Sequence, residues 1–206
     1  MLLRIYEENP NPKAIQQVAE VLRKGGLIIY PTDTVYGLGC DINNHRAIEQ
    51  VCAIRGIKPD KANLSFICDD LTGIAQYTKP FDTATFRLLK KALPGPFTFI
   101  FNASGQVPKL LSSKKKTVGI RVPDNNIARE IVRELGNPIV SASIHDDDEI
   151  VEYSTDPELI HEKYRDDVDL VIDGGYGGNI ASTIVDTTSG DFEIVREGKG
   201  DLSLFL

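Results

Sequence analysis

The sequence predicts an α/β fold, a single domain over residues 1–206 built on an open, twisted, mixed sheet with flanking helices. Three observations predict it. Short apolar runs rich in β-branched residues recur from LIIY at 27–30 to FEIVRE at 192–197. Segments with helical spacing separate the early runs, as parallel crossovers require, whereas the last three runs follow one another too closely for helices. A hydrophobic content of 41% in 206 residues supplies a sizeable core, with no internal repeat or low-complexity linker to divide it.

Residues 13–24 place Ile15, Val18, Ala19 and Leu22 on one helical face, and Gly25-Gly26 stops that helix before the LIIY strand. A second helix begins near Asn43 or Asn44, buries Ile48, Val51 and Cys52, and ends around Arg55-Gly56. LSFIC at 64–68 resumes as strand. Asp82 or Thr83 caps a further helix with Phe86, Leu89 and Leu93 as its apolar stripe. PGP at 94–96 ends it, because proline lacks the backbone donor and clashes with the preceding turn. FTFIF follows as a core strand. TVGIRVP (117–123) and IVSAS (139–143) flank a helix through Ile127, Ile131 and Leu135, capped by Asp124 or Asn125. DLVID (169–173), STIVD (182–186) and FEIVRE (192–197) complete the strand set.

The net charge of −7 is unevenly spread: residues 1–145 carry 19 Lys and Arg against 13 Asp and Glu, and residues 146–206 carry 4 against 17. The basic portion suits anionic ligands such as nucleotide phosphates or RNA, while the acidic portion opposes indiscriminate nucleic-acid binding. Ordinary solvated surfaces produce the same split. The three cysteines, Cys40, Cys52 and Cys68, are odd in number and lack CxxC or Cys/His spacing. That argues against a disulfide framework or a zinc site and for a reducing cytoplasm. No run has the apolar length to span a bilayer, and the N-terminus lacks the pattern of a signal peptide. A cytoplasmic protein with no membrane partner is the expectation.

The most informative stretch is PTDTVYGLG at 31–39. Pro31 suits a strand end, and Thr32, Asp33 and Thr34 place polar side chains where the chain leaves the sheet. Gly37 and Gly39 let the backbone turn, or let a ligand approach where a Cβ would obstruct it. A tight turn with self-capping Thr and Asp side chains explains the same residues.

KGGLIIYPTDTVYGLGC, PGPFTFIF, TVGIRVPDNNIAR, ASTIVD and IVREGKGD, in that order from residue 24 to 201, resemble the YrdC/YciO family, the threonylcarbamoyl-adenylate synthase domain, and its YciO branch in particular. The resemblance implies a large concave cavity in which ATP, L-threonine and bicarbonate become L-threonylcarbamoyl-adenylate and pyrophosphate. That product serves threonylcarbamoylation of adenosine 37 in tRNA. Chemistry of this kind needs positioning and neutralisation of phosphate charge, with Mg²⁺ expected beside the basic side chains, and no protein nucleophile.

The same resemblance assigns residues. Thr34 supplies the hydroxyl that contacts threonine, and Arg121 grips the substrate carboxylate through two donors, unless it is simply one half of a structural salt bridge. Ser182 and Ser143 match substrate-binding serines. Arg55, Lys58 and Lys61 keep three positive charges for the triphosphate where the family pattern approximates KxRPxxKPL, although here the final element reads Ala62-Asn63-Leu64; an exposed basic loop is the alternative. Ser141 and His145 occupy the nucleotide segment, with His145 where the family has asparagine, either hydrogen-bonding the nucleotide or solvated. Arg196 matches a phosphate-binding arginine. The run Asp146-Asp147-Asp148-Glu149 either recruits Mg²⁺ or repels nucleotide, or is a solvated loop. Lys114-Lys115-Lys116 attracts tRNA or is an exposed run. Two further readings stand beside synthesis: a module binding structured RNA with little or no synthase activity, and the same chemistry on another amine.

Overall fold

The structure, a computed structural model, describes residues 1–111, 116–144 and 152–205. Ten strands occur in the order β1 (Leu2–Arg4), β2 (Ile28–Tyr30), β3 (Gly37–Asp41), β4 (Ser65–Ile67), β5 (Phe97–Asn102), β6 (Thr117–Arg121), β7 (Ile139–Ser143), β8 (Leu170–Asp173), β9 (Thr183–Asp186) and β10 (Glu193–Arg196). They form one mixed sheet with spatial order β1-β8-β2-β3-β7-β4-β6-β5-β9-β10. The parallel pairs are β1/β8, β2/β8, β4/β6 and β5/β9, and the remaining neighbours run antiparallel. The α/β prediction holds.

The helices are α1 (Pro12–Arg23), α2 (His45–Ile54), α3 (Ile74–Tyr77), α4 (Thr83–Ala92), α5 (Asn126–Leu135), α6 (Glu152–Thr155) and α7 (Pro157–Tyr164). Their starts follow from local chemistry. Asn11, Asn44, Asp82 and Asn125 each present a side-chain oxygen to an orphan backbone N–H of the first turn. At the other end of α5, Gly136 takes the left-handed conformation (φ 83°) that closes a helix without Cβ strain. One predicted stripe needs correction: Phe86 of α4 is 45% exposed, under the Lys90 ammonium, and Thr85, Leu88, Leu89 and Ala92 are what α4 buries.

Alternation along the strands sends neighbouring side chains into two separate cores. Ile29, Leu38, Phe66, Phe99, Ile120 and Val140 join α2, α4 and α7 on one face. Ile28, Tyr30, Ile67, Ile139 and Ile172 join α1 and α5 on the other. Helices α1 and α5 pack on each other over this second face, against residues of β8 and β2 and against Ile139 of β7 and Ile67 of β4. Further along β7 and β4, past Ile139 and Ile67, the same face changes character. Register sets Gly39, Ser141, Ser65 and Gly119 side by side across β3, β7, β4 and β6. Thr98 joins them, its methyl 3.4 Å from where a Cβ on Gly119 would stand. Small polar residues replace the apolar ones that a covering helix would need.

Candidate active site

The 31–36 loop, between β2 and β3, reaches Arg121, the last residue of β6 and a member of the small-residue face by alternation. Thr32 fixes the loop from within: its hydroxyl donates to the Val35 carbonyl at 2.7 Å and accepts from the Thr34 N–H at 3.1 Å. Thr34 is thereby turned inward, almost fully buried, with its Oγ1 accepting from Arg121 Nη2 at 2.9 Å. Gly178 N–H donates to the Thr34 carbonyl at 2.8 Å, and a Cβ on Gly178 would lie 2.5 Å from that oxygen. Close approach of the 174–178 segment to the loop therefore requires glycine.

Arg121 has a second partner. Its Nη2 also donates to Asp33 Oδ1 at 2.9 Å, with the two side chains only 10% and 8% exposed. The remaining Asp33 oxygen accepts the Asp124 N–H at 3.1 Å. Arg121 Nε is buried and has no hydrogen-bond partner among the described residues. An orphaned guanidinium donor in so enclosed a place costs free energy unless a ligand acceptor meets it.

Ser182 enters from the start of β9. Its hydroxyl lies 2.8 Å from that of Thr98, and Arg196 donates to its carbonyl from Nη2 at 2.8 Å and from Nε at 3.3 Å. Partial burial and the nearby positive charge of Arg121 push the Arg196 pKa below its ordinary value. Arg196 is exposed at the end of β10, whereas Arg121 is buried. Thr34 with Arg121 and Ser182 with Arg196, drawn from segments up to 162 positions apart, thus form two hydrogen-bonded pairs, and the charge of Arg121 reaches Arg196.

Ser141 is also on this face, where its hydroxyl accepts from Tyr30 at 2.6 Å. Burial pushes the Tyr30 pKa up to about 12, against the opposing effects of Ser141 and Arg121, so the phenol stays a donor at neutral pH. Gly37 and Gly39 turn out to be strand residues: a Cβ on either would come within about 3 Å of the Tyr30 ring. They make room for that ring and do not form a turn. Ser143 lies two residues beyond Ser141 on the same face and is more exposed.

The predicted triphosphate cations are less clearly gathered. Arg55 is the C-cap of α2 and half-buried, while Lys58 and Lys61 flank a 3-10 turn (Pro59–Lys61), exposed and without side-chain partners among the described residues. The turn leads into β4 at Ser65, whereas Arg121 pairs with Ile67 at the opposite end of that strand. His145, the run 146–149, Lys114 and Lys115 lie outside the described residues. Surface clefts elsewhere, such as one of about 460 Å³ bordered by Lys24, Asn44 and Arg46, contain none of Thr34, Arg121, Ser182 and Arg196. Among the described residues no group of three or more His, Cys, Asp or Glu side chains converges as a metal site would, so no protein cage for Mg²⁺ is assigned.

Sequence reasoning missed three contributors. Asp33 was readable as a cap but not as the partner of Arg121; Thr98 sits inside PGPFTFIF and Lys199 inside IVREGKGD, where the Lys199 ammonium donates to the Asp33 carbonyl. Both motifs signalled the segments without identifying the side chains.

A family model named for Sua5, YciO and YrdC and described as "Telomere recombination" matches residues 20–198. YciO of Escherichia coli is 42% identical over 204 residues, covering 98% of this chain and 97% of its own length. A threonylcarbamoyl-AMP synthase of Coxiella burnetii is 29% identical over 165 residues, 80% of this chain and 87% of that protein. The crystal structure of E. coli YciO superposes with a TM-score of 0.91 at 41% identity, covering 100% and 99% of the two chains. Sua5 of P. abyssi, solved in complex with L-threonine, superposes with a TM-score of 0.86 at 25% identity over 96% of this chain and 57% of that one.

Proposed function

The chain belongs to the Sua5/YciO/YrdC family, and from that membership we propose that it is a threonylcarbamoyl-AMP synthase, acting on ATP, L-threonine and bicarbonate. One observation carries the reading. Arg121 is buried, held on Nη2 by Thr34 and Asp33, and left with an unpaired Nε, which suits a small carboxylate arriving at that edge. The threonine complex of Sua5 supports the choice of amino acid.

In this reading Arg121 receives the threonine carboxylate, and Thr34, Ser182 and Ser143 set its remaining polar groups. The threonine amine condenses with bicarbonate to a carbamate and water. A carbamate oxygen then attacks the α-phosphorus of ATP; the new P–O bond replaces the bond to the leaving pyrophosphate, giving threonylcarbamoyl-AMP. Arg196, with Arg55, Lys58, Lys61, Ser141 and His145, takes the nucleotide. Mg²⁺ would be held by phosphate oxygens and water, as it commonly is beside nucleotides. The protein's contribution is orientation and charge neutralisation.

Pyrophosphate release tests this. We expect release that requires threonine and bicarbonate together and that falls at least tenfold in Arg121→Ala, on the scale of a lost charged hydrogen bond of about 1.5 kcal/mol or more. Release without threonine, or none from the folded protein, rejects the reading.

A further inference from the structure

The Asp33 carboxylate is an unexpected neighbour for an arginine that is to receive another carboxylate. It has two possible effects: it competes with the ligand for the guanidinium, or it holds the guanidinium so that a different donor faces the ligand. The geometry distinguishes them. Asp33 takes only Nη2, which it shares with Thr34, and leaves Nε unpaired in a buried position. Asp33 is itself held from two other directions, by the Asp124 N–H on its second carboxylate oxygen and by the Lys199 ammonium on its main-chain carbonyl. A carboxylate tied down in this way is poorly suited to swing aside for a competitor. It is well suited to fix the plane of the group it touches.

We infer that Asp33 is a positioning residue, which clamps Arg121 through Nη2 and so presents the one remaining donor of that edge, Nε–H, to an oxygen of an incoming carboxylate. The identity of that carboxylate as threonine rests on the function proposed above; the clamp does not. Its negative charge also compensates the buried cation between catalytic cycles, when no ligand is present. Lys199 acts one step further out, tying the turn after β10 to the loop that carries Asp33.

Two measurements on the full chain test the inference. In protein labelled with ¹⁵N-arginine, with the Arg121 signals assigned by their loss in Arg121→Lys, hindered rotation should keep separate Nη resonances in the native protein. Asp33→Asn, which keeps the shape but removes the charge, should average them. Calorimetric titration should then show threonine binding weakened about tenfold or more in Asp33→Asn, with ATP binding unchanged. A general loss of structure would affect both ligands. Unaltered Arg121 resonances in Asp33→Asn overturn the inference, and so does threonine affinity that stays the same or improves, which is the signature of a competitor. If the native protein binds no threonine, the proposed function fails on that result alone, while the arginine resonances still decide whether Asp33 holds Arg121.

Discussion

Proton bookkeeping around Thr34 shows what one hydroxyl has left to offer. Thr32 has a single hydroxyl proton and gives it to the Val35 carbonyl, so in the 3.1 Å contact between the Thr32 and Thr34 hydroxyls Thr34 is the donor. Thr34 Oγ1 also accepts from Arg121. One acceptor lone pair remains, matched to a ligand donor such as an amine or a hydroxyl. Thr34→Val, nearly isosteric, should therefore weaken threonine binding about tenfold, on the order of 1 kcal/mol for the lost bond plus the unsatisfied guanidinium, whereas Thr34→Ser should bind nearly as the native protein does. Calorimetry checks both; equal affinity in Thr34→Val would remove the hydroxyl from the site. At this scale the sequence was partly legible. Thr34, Arg121, Ser182 and Arg196 stand in motifs, but the Arg121–Asp33 pair joins residues 88 positions apart, and no local pattern announces it.

Among the elements, those with a cap or a clear period were readable from the chain. Asn44 and Asn125 mark the starts of α2 and α5, and the five buried positions of α5 recur at helical spacing. The GLGCD strand was not readable, because β3 is buried on both faces and so lacks alternation, while its glycines lack strand propensity. The LLR strand at the sheet edge is only three residues long. Helices α6 and α7 went unread because polar residues crowd the apolar face; only Asp156 and Pro157 mark the start of α7. The loop elements carry a prediction of their own. Gly178→Ala should push the 31–36 loop off Arg121, since the added Cβ would stand 2.5 Å from the Thr34 carbonyl, whereas Gly105→Ala meets open space. Pyrophosphate release should fall severalfold or more in the first and stay native in the second, with both proteins folded by circular dichroism. Equal activity would detach the 174–178 segment from the site.

Over the whole molecule, the two faces of the sheet have different tasks. One is sealed by α2, α4 and α7 over aromatic and branched side chains; the other is sealed in part by α1 and α5 and lined by glycine, serine and threonine further along β7 and β4. That change of lining, with Arg121 on it, is the feature on which the proposed function rests. Among the described residues no helix is long and apolar enough to cross a membrane. The most direct test of synthesis is mass spectrometry of the products after incubation with ATP, Mg²⁺, L-threonine and ¹³C-bicarbonate. The account predicts threonylcarbamoyl-AMP one mass unit heavier than with ordinary bicarbonate, formed only when threonine is present and lost in Arg121→Ala. Folded protein that binds ATP yet yields no labelled adenylate would contradict it.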